Sequence, residues 1–297
     1  MTSSASSSPE LATITIAADL EVSRIGYGAM QLTGDHVWGE YRDRDGAIAL
    51  LRGVVESGVT FIDTADVYGP HSNEILIHDA LHPYPDELVI ATKGGFVRGG
   101  YDYSTLGAVG NPNYLRQSAH MSARRLGVEQ IDLYYLHSGT ATDVPFVDQV
   151  ATLAELREQG LIRNIGLSNV TLEQFQAARE IVEIAAVTAH YNVSVRRGAA
   201  LLVAAERAGT VFSPWHPVRL NEGPDAPRAL ELIEEIARRY GATPQQIALA
   251  WQLHRSTITI PIPGTTKLSH LTANIQAAAI QLEPHDVDAV TGLIPED

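Results

Sequence analysis

Residues 60–81 read TFIDTADVYGPHSNEILIHDAL, and this stretch decides the fold. Its first six residues form a short apolar and β-branched run, which predicts a buried strand. Residues 72–81 then follow a helical pattern, with Ser72 as a good helix cap and Glu74 in the first turn, where the helix dipole favours an acidic side chain. A strand followed closely by a helix is the repeating unit of an α/β protein.

The same alternation continues in both directions and gives eight strand–helix units. Near-continuous apolar runs are typical of parallel strands that are covered on both faces. The predicted strands span residues 22–30, 60–65, 88–93, 131–137, 162–169, 185–192, 210–215 and 257–264. Eight such units without a break in composition predict a (β/α)₈ TIM barrel of the α/β class, with residues 11–297 as a single domain.

Other segments are predicted as additions to the barrel. Residues 12–20 favour a short N-terminal hairpin below the barrel, and residues 243–255 and 283–297 favour extra C-terminal helices. Residues 1–10 are rich in Ser and polar residues, which predicts a flexible tail.

The main rival is a doubly wound sheet, which would carry a G-x-G-x-x-G motif between a strand and a helix. The candidate stretch has Gly26 and Gly28 but Gln31 at the third position, and the next predicted helix begins many residues later. The partial motif is weak, and eight units favour the barrel.

Composition limits the function classes. The 297 residues carry a formal net charge of −14, which argues against nucleic acid as a general partner. Residues 1–10 lack the features of a signal peptide, and no apolar run reaches the roughly 18 residues of a membrane span. The chain has no cysteine, which removes disulfides and cysteine nucleophiles. We therefore expect a cytoplasmic protein without membrane contact, present as a monomer or weak oligomer.

Metal binding is not predicted either. His71, His78 and His82 are close in sequence, but no motif with metal-ligand spacing is present, and these histidines are interpreted as surface or packing residues.

Four ionisable side chains follow three successive predicted strands. Asp63 follows the second strand and Tyr68 lies in the loop beyond it, Lys93 ends the third strand, and His137 ends the fourth. Barrel active sites lie at the carboxyl ends of the strands, so these side chains are expected to converge. An ammonium beside a tyrosine lowers the phenol pKa, and a carboxylate keeps that ammonium charged. The set suits protonation of a carbonyl oxygen while another group delivers hydride to carbon.

Several motifs together resemble those of the aldo-keto reductases. The sequence of residues 63–95 is most similar to that of microbial pyridoxal-reductase-like members. The resemblance runs from about residue 20 to 280 and rests on FIDTADVYGPHSNE (61–74), VIATKGG (89–95), IDLYYLH (131–137), IGLSN (165–169) and PIPGTTKLSHLTAN (261–274). It implies NADPH-dependent reduction of an aldehyde or ketone, with NADH as an alternative cofactor and no metal. Tyr68 would be the general acid, Asp63 and Lys93 would tune it, and His137 would orient the carbonyl group.

The resemblance also implies a cofactor site. Ser168 and Asn169 match residues that bind the nicotinamide carboxamide, and Thr188 stands where the family often has Gln. Phe212 matches the aromatic residue that stacks on the nicotinamide ring. Further positions would contact the pyrophosphate (Ser213, Pro214, Trp215), the 2′-phosphate of NADPH (Thr265, Thr266, Lys267, His270) and the adenine (Asn274).

The substrate is left open by the sequence. Met30, Trp38 and Phe96 are expected to line its pocket, together with the long loop 94–113. Pyridoxal is one candidate, and other small aldehydes, ketones or oxidised sugars are alternatives. A second hypothesis is a redox-sensing module that holds NADPH and regulates a partner, as some members of the family do.

Overall fold

A computed structural model of the chain describes residues 11–295, so the tail predicted over residues 1–10 lies outside the described residues. Seven parallel strands form one sheet: β3 (Tyr27–Gly28), β4 (Phe61–Asp63), β5 (Val89–Gly94), β8 (Ile131–Leu136), β9 (Ile162–Ser168), β10 (Ala186–His190) and β11 (Val211–Trp215). Their spatial order is β11-β10-β9-β8-β5-β4-β3.

The position of the eighth strand in the barrel is occupied by an extended segment, residues 258–263. On one side Phe212 N–H donates to the Ile258 carbonyl (3.0 Å) and Ile260 N–H donates back to Phe212 (2.9 Å). On the other side Gly26 N–H donates to the Pro261 carbonyl (3.0 Å). The strand predicted at 257–264 therefore closes the barrel but forms no regular ladder, since Pro261 and Pro263 have no N–H to donate.

Glycines allow this closure. A Cβ at Gly28 would lie 2.7 Å from the Ile262 carbonyl oxygen, and a Cβ at Gly264 would lie 2.8 Å from the carbonyl oxygen of Gly28. Both distances are too short for any side chain, so the two segments approach backbone to backbone.

Helices surround the sheet and follow its strands as predicted. Their apolar faces pack against the outward faces of the strands, as in the cluster that joins Leu153, Ile165 and Phe175. The helices are α1 (Arg44–Glu56), α2 (Ser72–Leu81), α3 (Pro112–Leu126), α4 (Phe146–Glu158), α5 (Leu172–Arg179), α6 (Ala199–Ala208), α7 (Ala226–Tyr240), α8 (Pro244–Arg255), α9 (Leu268–Gln276) and α10 (Pro284–Thr291). No helix among residues 11–295 is both long and apolar enough to cross a membrane.

The N-terminal hairpin is confirmed. It consists of β1 (Thr13–Ile16) and β2 (Leu20–Ser23), which pair antiparallel. Ile16, Leu20 and Val22 are buried in one cluster with Phe61 and Val211, the first residues of β4 and β11. The hairpin thus covers the amino ends of the strands and leaves the carboxyl ends as the open rim.

The loop 94–113 has structure of its own. It contains the antiparallel pair β6 (Phe96–Arg98) and β7 (Leu106–Ala108). This hairpin stands on the same rim as the ends of β5 and β8.

Candidate active site

Asp63 and Lys93 meet at the ends of β4 and β5, as expected from the sequence. Both side chains are only 4% exposed, and the Lys93 ammonium donates to Asp63 Oδ1 and to the Thr64 carbonyl oxygen, the latter at 2.8 Å. Burial raises the pKa of Asp63 above its ordinary value, and the contact with Lys93 offsets part of that rise. The pair therefore lies in a dry site, where its orientation is fixed by two acceptors around one ammonium.

Tyr68 lies above this pair. The chain turns after β4, with Tyr68 N–H donating to the Ala65 carbonyl at 3.2 Å, and the half-buried phenol comes back over the rim. Lys93 Nζ lies 5.4 Å from the centroid of its ring. The ring of His137 stands edge-on to Tyr68, with centroids 6.0 Å apart. The four side chains predicted to converge do so.

The pKa of Tyr68 differs from the expectation. Burial raises it well above its ordinary value, and the nearby Asp63 carboxylate raises it further. The predicted lowering of the Tyr68 pKa is wrong because burial and the Asp63 carboxylate both favour the neutral phenol. Tyr68 consequently keeps its proton throughout the neutral range, as a proton donor must.

His137 is a neutral imidazole. It directly follows β8, and its backbone N–H donates to the Gly94 carbonyl at 2.9 Å. Its ring packs edge-on against that of Phe96, with centroids 4.8 Å apart. Burial lowers its pKa well below the ordinary value, and the Lys93 charge lowers it further. Within the described residues, Nδ1 of His137 has no hydrogen-bond partner. A neutral ring can donate one hydrogen bond to a carbonyl oxygen without adding a charge to the site.

Asn73 is a site-supporting residue that the sequence did not indicate. It is fully buried at the start of α2 and donates to the carbonyl oxygens of Ala29 (3.0 Å) and Leu32 (2.9 Å). Thr64 Oγ1 in turn donates to Asn73 Oδ1 at 2.6 Å. These bonds tie the loop that carries Tyr68 to the segment that carries Met30. In the sequence Asn73 resembles an ordinary helix-start residue, so only the contacts identify it.

The residues predicted for the substrate pocket lie around the same rim. Phe96 contacts His137, as described above. Trp38 faces the guanidinium of Arg98 at 5.3 Å from its ring centroid, and Arg98 also donates to the His36 carbonyl at 3.1 Å. Met30 is half-buried in a short 3₁₀ helix, Ala29–Gln31, that follows β3. Arg98 was not predicted, and it links β6 to the Trp38 loop.

The nicotinamide-binding residues expected from the sequence also lie together. Ser168 ends β9 and pairs in register with Thr188 on β10, and Asn169 follows Ser168 with φ of 53°. Asn169 Nδ2 donates to Ser168 Oγ at 3.1 Å. Among the described residues, the buried Thr188 Oγ1 has no hydrogen-bond partner.

The prediction that Phe212 stacks on the nicotinamide ring is wrong. Phe212 is 0% exposed and packs edge-on against Tyr191 in the outer core, because alternate residues of a strand point to opposite faces. Ser213 and Pro214 are buried in the barrel wall, and Ser213 Oγ donates to the Ile260 carbonyl at 2.9 Å. Trp215, which ends β11, is the partly exposed aromatic residue of this strand, and its Nε1 donates to Asn169 Oδ1 at 2.9 Å.

The segment predicted to bind the cofactor phosphate leads into α9. Thr266, Lys267 and His270 are exposed, and α9 has no side-chain cap at its start. Thr265 is buried, and its Oγ1 accepts from Lys267 N–H at 3.1 Å. Asn274 is buried one turn further along the helix. An uncapped helix start beside a lysine favours an anion.

Comparison with known proteins points to one family. Residues 24–295 match the model of the aldo/keto reductase family. An uncharacterized oxidoreductase of Schizosaccharomyces pombe is 42% identical over 265 residues, which cover 89% of this chain and 84% of that protein. Pyridoxine 4-dehydrogenase of Escherichia coli is 39% identical over 280 residues, which cover 93% of this chain and 96% of that protein.

Solved structures share the fold. A glycerol dehydrogenase from Gluconobacter oxydans matches with a TM-score of 0.84 and 25% identity, covering 95% of this chain and 94% of that one. An aldo/keto reductase from Klebsiella pneumoniae, solved with NADP and acetate, matches with a TM-score of 0.77 and 23% identity over 95% of this chain and 94% of that one. The (β/α)₈ barrel expected from the sequence is confirmed.

Proposed function

The chain belongs to the aldo/keto reductase family and is an oxidoreductase, and we propose that it reduces a small aldehyde or ketone to the alcohol with NADPH. The observation that carries the proposal is the Lys93 ammonium, held by Asp63 and the Thr64 carbonyl beneath Tyr68 and beside His137. A bound nicotinamide would supply hydride to the carbonyl carbon.

Proton delivery is the part that this chain performs. As hydride reaches the carbon, negative charge develops on the carbonyl oxygen, and an alkoxide is a much stronger base than a phenolate. Tyr68 therefore transfers its proton to that oxygen despite its raised pKa. The fixed charge of Lys93 stabilises the phenolate that remains.

His137 orients the substrate. Since its imidazole is neutral, it donates a hydrogen bond to the carbonyl oxygen but does not compete with Tyr68 as an acid. Phe96 packs against the ring and limits its rotation. Together Tyr68 and His137 would hold the oxygen between two donors.

The residues at the ends of β9, β10 and β11 fit a nicotinamide ring. Thr188 offers a buried hydroxyl with no partner in the described residues, next to the Ser168–Asn169 pair. Trp215 takes the stacking role that the sequence assigned to Phe212, because Trp215 lies on the rim and Phe212 does not. The Trp215–Asn169 hydrogen bond would fix both contact groups before the cofactor binds.

NADPH is proposed over NADH because of the segment before α9. Lys267 and His270 are exposed beside the uncapped helix start, where a 2′-phosphate would meet both a positive charge and free amide groups. The Klebsiella pneumoniae relative with NADP is consistent with this choice.

Pyridoxal is the first substrate to test. Pyridoxine 4-dehydrogenase is 39% identical over nearly the whole chain, and Phe96, Trp38 and Met30 would form an aromatic and apolar wall for a flat ring. Other small aldehydes, ketones and oxidised sugars are the comparison set. The alternative of a regulatory module gains no support from these relatives. The cytoplasmic location and the monomeric or weakly oligomeric state stay predictions.

The test is a panel of carbonyl substrates with NADPH and NADH, followed by loss of the absorbance of the reduced nicotinamide. Tyr68→Phe should retain NADPH binding and lower turnover by about 10² or more, since a general acid is lost. Near-wild-type turnover of Tyr68→Phe would overturn the proposal. Wild-type protein that binds NADPH tightly and turns over no member of the panel would favour a regulatory module.

Lys267→Ala tests the cofactor preference. It should raise the KM for NADPH more than the KM for NADH, because only NADPH carries the 2′-phosphate. Arg228 on α7 is exposed, and Arg228→Ala serves as the control for loss of one surface charge. Equal effects of Lys267→Ala on both cofactors would remove Lys267 from the site.

A further inference from the structure

Three side chains of types that can ligate a metal ion meet at the ends of β10 and β11, and none of them has a role in the proposed reduction. They are His190, the last residue of β10, His216, the first residue after β11, and Glu222 in the loop that leads to α7. We call them the rim cluster. His190 lies 26 positions before His216 in the sequence, so the three residues form no short motif with metal-ligand spacing.

The rim cluster brings one ligand atom from each residue to a common point. His190 Nε2 lies 2.8 Å from Glu222 Oε2, and His216 Nδ1 lies 2.9 Å from Glu222 Oε1. All three ligand atoms lie within 4.8 Å of one another. Ligands of a tetrahedral zinc ion with bonds of about 2.0–2.2 Å are about 3.3 Å apart, so each imidazole nitrogen and its Glu222 oxygen would have to move apart by a few tenths of an ångström to satisfy that geometry.

Neighbouring groups hold these side chains in place. The His190 ring stacks on Trp215, with centroids 4.0 Å apart and planes 15° apart. Asn192 Nδ2 donates to Glu222 Oε2 at 3.1 Å. His216 has φ of 56°, a left-handed conformation that is uncommon for a residue other than glycine. Such support from surrounding residues is typical of metal sites.

Access for an ion is present as well. The side chains of His190, His216 and Glu222 are 12%, 27% and 18% exposed, so the site is shielded but open to solvent on one side. Three protein ligands with an open side match zinc sites that keep a water molecule as the fourth ligand. Two imidazoles and one carboxylate suit zinc and similar transition metals, whereas Mg²⁺ and Ca²⁺ prefer oxygen ligands alone.

We propose that His190, His216 and Glu222 form a binding site for a divalent transition-metal ion of the zinc class, with water as the fourth ligand. Each neutral imidazole would keep its one proton on the ring nitrogen that faces away from the ion, which leaves Nε2 of His190 and Nδ1 of His216 free to coordinate. The ion would join the loop after β11 to the end of β10. The expectation of no metal that was drawn from the sequence is the alternative that the experiments below test.

Tag-free full-length protein tests the proposal by titration with Zn²⁺ alone, measured by calorimetry, and with Co²⁺, measured by the visible absorption of tetrahedral coordination. We expect one saturable ion per chain. Trp215 stacks on His190, so its fluorescence should change in the same titration. The chain has no cysteine, so any tetrahedral Co²⁺ spectrum must come from nitrogen and oxygen ligands.

Glu222→Gln and His216→Gln should each weaken Zn²⁺ binding by more than about tenfold. His82→Gln is the matched control, because His82 stacks on His78 with ring centroids 4.7 Å apart and lies outside the rim cluster, and His78 contacts the carboxylate of Asp79. Zn²⁺ binding that is lost in His82→Gln and kept in Glu222→Gln would overturn the proposal.

A wild-type crystal grown with Zn²⁺ provides a test that does not depend on the folding of a variant. Anomalous scattering should place the ion between His190, His216 and Glu222. Density that shows the three side chains joined by hydrogen bonds alone, or the absence of saturable binding in solution, would show that the rim cluster is a hydrogen-bond network.

Discussion

Asp63 and Asp66 lie three positions apart after the same strand, and both are 3% exposed, but their surroundings differ. Asp63 faces the barrel interior and meets the ammonium of Lys93. Asp66 faces α3, where Ser118 Oγ donates to its Oδ2 at 2.6 Å, and Tyr114 donates to the same oxygen at 3.4 Å. It lines a cavity of about 310 Å³ that is formed with β6 and α3. One aspartate thus has a fixed charge as its partner, and the other has neutral hydroxyl groups.

Burial raises the pKa of both carboxyl groups, and the two differ in the group that opposes the rise. At Asp63 it is the charge of Lys93, and at Asp66, whose pKa is raised to about 7, it is the hydrogen bond from Ser118. Equal burial of two identical groups therefore leads to different chemistry. Asp63 acts as the counter-charge of Lys93, and Asp66 can take up a proton near neutral pH.

The largest expected effect concerns the charged pair. Lys93→Met should lower the free energy of unfolding by about 3–5 kcal/mol, because the Asp63 carboxylate stays buried without its partner. Chemical denaturation at neutral pH measures the change. The double variant Asp63→Asn with Lys93→Met should recover much of the loss. Equal stability of single and double variants would contradict the idea that the unpaired charge is the cause.

The next effect is the pH dependence of stability that Asp66 contributes. Its pKa in the folded chain, about 7, lies above the ordinary value of 3.8, so its contribution is complete below about pH 4 and is lost progressively as the pH rises from there to about 7. The Asp66→Asn variant has no titrating group at this position. Its stability relative to wild type should rise by about 3 kcal/mol from pH 5 to pH 8. Denaturation series at both pH values measure it, and a difference that does not change with pH would refute the raised pKa.

A smaller effect is expected from Ser118→Ala. This change removes the 2.6 Å hydrogen bond to Asp66 and should cost about 1–2 kcal/mol at pH 8, where the carboxylate is charged. In the Asp66→Asn background the cost should be smaller, and a double-mutant cycle gives the coupling. Ser118 also contacts Tyr134 at 3.0 Å, so an equal cost in both backgrounds would assign its role to Tyr134 instead.

The smallest effect concerns the pH dependence of kcat. The pKa of His137 lies well below its ordinary value and that of Tyr68 well above, so neither should change its charge between about pH 6 and pH 9. Any step in kcat near pH 7 is then expected to come from Asp66, since its loop carries Tyr68. Such a step should be absent in Asp66→Asn. A step near pH 7 that persists in this variant would place the titrating group elsewhere.

Much of the site could be predicted because strand ends in a barrel share one rim. Asp63, Lys93 and His137 are placed by strand order alone, and the turn after Ala65 brings Tyr68 back to them. The direction of the shift in the Tyr68 pKa could not be predicted, because it depends on burial of the phenol and on the nearby Asp63 carboxylate. Asn73 was missed for a similar reason, since a buried amide and an exposed helix start look alike in sequence.

The sequence by itself determined the alternation of strands and helices, and hence the barrel, because hydrophobic periodicity and chain order are local properties. It also determined which residues stand at the strand ends. Only the tertiary structure decided that Phe212 points into the outer core while Trp215 reaches the rim, because a shift within a strand reverses the face. Likewise, His190, His216 and Glu222 come together only when β10, β11 and the following loop are packed side by side.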